Sequence, residues 1–202
     1  MIIYGASGHG KVIAEILEKN GFTNIIFVDD KPVGDSFLDY PLHHTSKLPE
    51  LDDQDLVIAV GNNRTRSKLA QSIDKKFTVA VHPSAQISHR CTPGAGTVIM
   101  AGVVVNADST IGEHVILNTN CSIDHDCVLE DFVHISPNVA LAGNVHVGEG
   151  TQVGIGSSVI QGVRIGKYAT IGAGAAIIED VPDYAVVVGV PGKVIRYNVP
   201  SV

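Results

Sequence analysis

The sequence predicts two architectures in one chain: a small α/β domain with a Rossmann-like parallel sheet over residues 1–80, then a parallel β-helix of hexapeptide repeats over residues 81–185. Three observations carry this. From Val81 onward every sixth residue is aliphatic, through Ile87, Ile99, Val105, Ile111, Leu117, Ile123, Leu129, Ile135, Leu141, Val147, Val153, Val159, Ile165 and Ile171 to Ile177, with only Pro93 departing. Four residues after each stands a small or β-branched residue, among them Cys91, Val103, Cys121, Cys127, Ser157 and Ala175. A helix would return its apolar face every three or four residues, so this period excludes helix and marks a solenoid in which each hexad forms one side of a coil. Before Val81 the pattern is instead strand, amphipathic helix, strand.

In the first domain MIIYGA reads as a strand, KVIAEILEKNGF as a helix ended by Gly21, and NIIFVDD as a second strand, a βαβ opening. DLVIAVGNN predicts a further buried strand, NRTRSKLAQSIDKKF a helix, and TVAVHP the strand that enters the solenoid. Ligands of such sheets bind beyond the carboxyl ends of the strands, which here carry Gly5, Ser7, Gly8, Asp29, Asp30, Gly61, Asn62 and Asn63. His43 and His44 fall in a loop and receive no role. Three hexads make an eighteen-residue triangular coil, and the stacked coils make a rod about 25–30 Å long at strand spacing. Its core lies inside the coil, so the outer sides are free for subunit packing and for a site between subunits.

Composition narrows the function classes. The chain has 202 residues, 45% of them hydrophobic, which suits a folded protein. Aromatics are 5%, tryptophan is absent and glycines number 21, as tightly turned β coils require. A formal net charge of −7 argues against a nucleic-acid partner and favours small-molecule substrates. MIIYGASGHG lacks a basic stretch followed by a long apolar one, and no run approaches a membrane span, so a cytoplasmic protein without membrane insertion is expected. Cys91, Cys121 and Cys127 all fall in the small inward series and read as compact core hydrophobes rather than redox or metal groups.

The loop Gly5-Ala6-Ser7-Gly8-His9-Gly10-Lys11-Val12 half-matches two phosphate-binding patterns. Val12 stands where a P-loop needs Ser or Thr for magnesium, and Ser7 where a dinucleotide fingerprint has its middle glycine. What both share survives: a glycine-rich turn at a helix N-terminus presents N–H groups to an anion, and a nucleotide diphosphate would suit it.

The densest titratable cluster of the solenoid is Asn118, Asp124-His125-Asp126 and His134. Residues eighteen apart stack on successive coils, which sets His125 between Ala107 and Gly143 and predicts open space beside the imidazole. A neighbouring carboxylate, Asp124 or Asp126, would fix the ring's tautomer and raise its pKa, leaving the other nitrogen to take a proton from a nucleophile. Gly143 would admit a ligand close to the backbone, and its N–H could face a developing oxyanion. His134, nine residues on, is not expected to touch His125 within one chain. His82, His89, His114 and His146 read as structural or solvated.

These residues resemble the hexapeptide-repeat acetyltransferases of the sialic-acid O-acetyltransferase-like group, which includes the bacillosamine-pathway UDP-amino-sugar N-acetyltransferases. The resemblance spans nearly the whole chain and rests on Gly5-Ala-Ser-Gly-His-Gly, Asp29-Asp30-Lys31, LNTNCSIDHDCVLEDFVHISPNVALAGNVHVG and VVVGVPGKVIR. It implies a left-handed β-helix and a homotrimer with active sites between subunits. It also implies acetyl-CoA as donor, held near His134, Gly143, Ile155, Ala173 and Pro191 with help from a tail of residues 186–202. The implied acceptor is a UDP-linked amino sugar held by Gly5, Ser7, Gly8, His9, Asp29, Asp30, Lys31, Gly61 and Asn62. His125 is implied as general base, Asp126 as its partner and Asn118 as a supporting polar group, with no metal. The family often has Glu at the Asp126 position, so a carboxylate one methylene shorter must reach the ring here. Three rivals remain: O-acetylation of a sialic acid or related hydroxyl, a zinc hydratase, which needs three converging imidazoles, and a non-catalytic sugar-nucleotide sensor.

Overall fold

The computed structural model describes residues 1–51 and 54–198. The N-terminal sheet contains β1 (Ile2–Tyr4), β2 (Ile26–Asp29), β3 (Ser36–Phe37), β4 (Tyr40–His44) and β5 (Leu56–Ile58), in the order β3-β4-β2-β1-β5. β4, β2, β1 and β5 run parallel, while β3 makes an antiparallel edge hairpin with β4. Helix α1 (Gly8–Lys19) follows β1, and α2 (Asn63–Ser72) follows β5. Two expectations change. His43 and His44 belong to β4, aligned with Val28 and Asp29, rather than to a loop. Helix α2 stops at Ser72, before the IDKKF that the periodicity included; Phe77 instead bridges to Leu56 and extends the sheet.

Alternation along the strands builds two cores. Ile3, Phe27, Leu42 and Val57 face α1, while Ile2, Tyr4, Val28, Leu56 and Ile58 face α2 and the 3-10 turn Thr45–Glu50. The first core does not close on itself. It takes in Ala80, Val98, Met100 and Ile116 of the solenoid, so the two domains share one apolar interior.

The solenoid is a left-handed β-helix with three parallel faces. The domain face runs through Ala80–Val81, Val98–Ile99, Ile116–Leu117, His134–Ile135, Gln152–Val153 and Thr170–Ile171 to Ala185–Val188. A second face of small outward residues runs through Gln86–Ile87, Val104–Val105, Ser122–Ile123, Ala140–Leu141, Ser158–Val159 and Ala176–Ile177. A third, charged face holds Thr110–Ile111, Val128–Leu129, His146–Val147 and Arg164–Ile165. Both predicted inward series fill one continuous core, with Cys91, Cys121 and Cys127 inside it. Pro93, which cannot donate to a ladder, lies outside any strand. The final strand Lys193–Tyr197 folds back antiparallel on Ala185–Val188. Residues 199–202, the end of the tail expected to assist CoA binding, lie outside the described residues.

Each coil turns its corners through left-handed residues. Asn, Asp and Gly fill most of them, as sterics favour, including Asp108, Asp126 and Asn144 in one column. The column beside the N-terminal domain instead carries His114, Phe132, Tyr168 and Tyr184 at φ of 51°, 60°, 51° and 61°. His114 stacks on Phe132 with ring centroids 5.4 Å apart and meets Phe77 edge-on at 4.5 Å, so domain packing supports these bulky residues at strained corners.

Candidate active site

His125 sits at the corner between the small-residue face and the charged face. Its Nδ1 is 2.7 Å from Oδ2 of Asp126, so the left-handed corner swings the short Asp side chain back onto the ring and the missing methylene is no obstacle. Asp124 does a different job: its Oδ1 accepts from the backbone N–H of His125 at 2.8 Å and from Asn106 Nδ2 at 2.9 Å, one coil below. The Asp126 hydrogen bond, helped by the charge of Asp124, raises the His125 pKa, and the side chain as a whole is 61% exposed. The ring uses the room over Gly143 itself. A Cβ there would lie 2.6 Å from its Cε1 and 2.7 Å from its Nε2, so the predicted open space beside the imidazole is occupied by the imidazole.

Beside His125 the small-residue face forms a shallow concavity of about 380 Å³ lined by Asn106, Ser122, Asp124, Ala140, Ala142 and Ser158 among others. At its far corner Ile155 and Ala173 occupy adjacent coils, and Ile155 is exposed. The Gly189–Gly192 loop with Pro191 closes its upper end: Ala176 N–H donates to Gly189 O and Gly192 N–H to Ala176 O.

Asn118 and His134 lie one corner away from His125, on the domain face, and bond each other: Asn118 Nδ2 is 3.2 Å from His134 Nε2. Asn118 is therefore not brought to the His125 ring within one chain. Its Oδ1 accepts from the N–H of Thr119, so its amide points Nδ2 at the imidazole and makes Nε2 the acceptor. Burial, with Arg66 and His9 nearby, depresses His134 to about 4. His9, in the first turn of α1, is likewise depressed to about 4 by burial and Arg66. His9 Nε2 and His134 Nδ1 are buried without a hydrogen-bond partner.

In the glycine loop, Gly5 at φ 113° and Gly10 have no room for a side chain: a Cβ would meet the Ala59 carbonyl oxygen at 2.9 Å and that of Gly5 respectively. Ser7 caps α1 without a side-chain hydrogen bond and the first turn has no acidic residue, so the helix end around Gly8 and His9 remains electropositive. Asp29 holds the loops rather than standing free: Oδ2 accepts from Ala6 N–H and Oδ1 from Lys31 N–H, both at 2.9 Å. Asp30 accepts from Tyr4 and Thr45 hydroxyls. Gly61 and Asn62 precede α2, where Asn62 Oδ1 caps Thr65 N–H.

Arg66 and Asn106 escaped the sequence reading; nothing distinguishes Arg66 from Arg64 or Lys68 in a basic helix until the solenoid is seen against it. Among the described residues no three His, Cys, Asp or Glu side chains gather as a metal site would need. No described helix is long and apolar enough to cross a membrane.

Fold and site together define a hexapeptide-repeat transferase with an α/β domain fused at its N-terminus. Residues 1–73 match the family of the PglD N-terminal domain, and residues 144–179 match the bacterial transferase hexapeptide (six repeats). A perosamine N-acetyltransferase mutant from Caulobacter crescentus, solved with CoA and GDP-perosamine, is 39% identical over 96% of this chain and 95% of that one, with a TM-score of 0.92. The acetyltransferase domain of PglB from Neisseria gonorrhoeae, solved with acetyl coenzyme A, is 40% identical over 96% and 98%, with a TM-score of 0.92. A UDP-N-acetylbacillosamine N-acetyltransferase of Bacillus subtilis is 40% identical over 108 residues, 49% of this chain and 50% of that protein. The chain spans about half the length of the curated relatives it matches. It belongs to the hexapeptide-repeat sugar N-acetyltransferase family with a PglD-type N-terminal domain.

Proposed function

We propose that the protein transfers an acetyl group from acetyl-CoA to the amino group of a nucleotide-linked sugar. The observation that carries this reading is the His125–Asp126 pair, with Nδ1 held by the carboxylate and the exposed ring next to Asp124, which lines a trough of small side chains. The donor lies along that trough, between Gly143 at one corner and Ile155 and Ala173 at the other, under the Pro191 loop. The acceptor's diphosphate sits at the N-terminus of α1, over Gly5, Ser7, Gly8 and His9, with Asp29, Asp30, Lys31, Gly61 and Asn62 around it. The relatives solved with CoA, acetyl-CoA and GDP-perosamine support a CoA donor and a nucleotide-sugar acceptor, and leave UDP and GDP as the two nucleotides to test.

In the reaction the sugar amine attacks the thioester carbonyl carbon and gives its proton to Nε2 of His125. Asp126 stabilises the imidazolium that forms. Collapse of the tetrahedral intermediate breaks the C–S bond, and His125⁺ returns the proton to the departing thiolate. A backbone N–H at the Gly143 corner faces the oxyanion. Asn118 and His134 sit across a corner from His125, so in a homotrimer they complete the site of a neighbouring subunit, with neutral His134 a hydrogen-bonding contact to donor or acceptor.

The test is thiol release from acetyl-CoA with UDP- and GDP-linked 4-amino-6-deoxy sugars and with sialic acids, run beside His125→Ala. Release with an amino sugar, falling about 10²–10⁴-fold in the variant, is the expected outcome. Turnover only of a hydroxyl acceptor would replace this reading with O-acetylation, and no turnover at all with a sugar-nucleotide sensor.

A further inference from the structure

Arg66 heads the fully buried side chains of the described residues, at 1% exposure. Among the described residues its hydrogen-bond partners are all neutral oxygens. Nε donates to the His114 carbonyl at 2.9 Å, and Nη2 to the Phe132 carbonyl at 2.8 Å and Asn63 Oδ1 at 2.9 Å. Nη1 donates to the carbonyls of Val60 at 3.0 Å and Gly61 at 3.2 Å. His114 and Phe132 are equivalent corner residues on successive coils, and Asn63 Nδ2 reaches the next, Gly150, at 3.0 Å. A buried guanidinium without a counter-charge is costly, and a neutral side chain would not require it. What the guanidinium alone supplies is a rigid planar fork of donors that can fix several chain segments together.

Those segments are the two sides of the proposed acceptor site. Val60 and Gly61 lead into Asn62 on the N-terminal domain. The coil of Phe132 continues directly into His134, which feels the charge of Arg66 and bonds Asn118. The donor trough is on another face and none of its lining residues bonds Arg66.

We propose that Arg66 is a positioning residue that sets the register between the acceptor loop 60–62 and the coil bearing His134, so that acceptor binding depends on it and donor binding does not. This rests on the assignment of the acceptor to that loop. The test uses Arg66→Lys, whose single ammonium cannot make the five contacts, beside Leu69→Ala, which loosens α2 on its sheet without touching the guanidinium. The expected result is a KM for the nucleotide sugar at least tenfold higher in Arg66→Lys with the acetyl-CoA KM within twofold, and neither constant moved in Leu69→Ala at matched thermal destabilisation. Equal changes in both constants, or none, would overturn the proposal.

Hydrogen–deuterium exchange on the unaltered protein gives an arm that needs neither a folded variant nor turnover. Segments 58–66 and 112–136 are expected to open as one unit under increasing denaturant. Independent opening of 58–66 would sink the positioning role. An unaltered protein inert toward every nucleotide sugar would instead defeat the functional assignment, and the exchange result would still decide whether Arg66 locks the two segments.

Discussion

His125 and His134 stand nine residues apart on the same solenoid and have opposite environments. His125 is exposed at a corner, bonded to a carboxylate and pushed up in pKa; His134 is largely buried on the domain face, bonded to an amide and pushed down to about 4. Their immediate sequence neighbours explain only the first. The rest comes from residues a coil or a domain away: Gly143 makes room for one ring, while Arg66 and His9 press a charge and a second imidazole against the other. In a solenoid the chemistry of a side chain is set by positions eighteen residues off and by what docks on its face. One histidine is thereby raised in pKa and the other held neutral.

The sharpest way to break the contrast is to remove the space that His125 occupies. Gly143→Val would drive the ring off Asp126 and displace Nε2 by an ångström or more. A loss of about 10²-fold in kcat is expected for such misplacement, with little change in thermal stability because the ring can swing into solvent. A retained kcat would show that the observed ring position is not the working one. A smaller effect is expected from Asp126→Asn, which suits the left-handed corner at φ 59° and keeps an acceptor for Nδ1–H. Losing the charge costs about tenfold in rate. Because the carboxylate raises the His125 pKa and the base must be neutral to act, activity falls as pH drops through that pKa. Asp126→Asn should move this acid limb of kcat/KM to lower pH, and an unmoved limb would assign it to another group.

The buried side of the comparison is read through stability. His9, His114 and His134 each fall from the usual 6.5 to about 4 in the folded chain, through burial first and then the charge of Arg66, with Asp131 acting the other way at His114. The unfolded chain therefore binds more protons between these values, so stability present above pH 6.5 is lost as pH falls toward 4. Thermal midpoints should drop by several degrees across that window, and His134→Gln should flatten the dependence. A midpoint constant from pH 7 to 4.5 would contradict the burial of these rings.

Much of this was legible from residues alone. The six-residue period gave the coil, its faces and the inward cysteines, because two side chains in every six must enter a narrow core. The pair His125 and Asp126 was legible as a cluster, although Asp124 competed for the same role until the corner geometry separated them. The domain junction was not. Val98, Met100 and Ile116 are apolar at outward positions, a sign of covering that the regular period obscured, and Arg66 lies in a helix whose pattern says only that it is basic. Asn118 was grouped with His125 by nearness in sequence, yet seven residues span more than a full side and carry it round the next corner.

The smallest effect is expected at Cys127, two residues from the proposed base and a tempting acyl carrier. Its thiol is fully buried in the coil, donates to the Ala142 carbonyl at 3.3 Å, and is raised in pKa by burial. A nucleophile needs its thiolate and access to substrate, and this one has neither. Cys127→Ala should lower stability by about 1–2 kcal/mol for the small void it leaves while leaving kcat and both KM values within twofold, and thiol release should show no burst. Loss of activity in a folded Cys127→Ala protein would overturn direct transfer in favour of an acyl-enzyme. The histidine would then serve to activate sulfur, and the contrast between an exposed and a buried imidazole would have to be drawn again around the core.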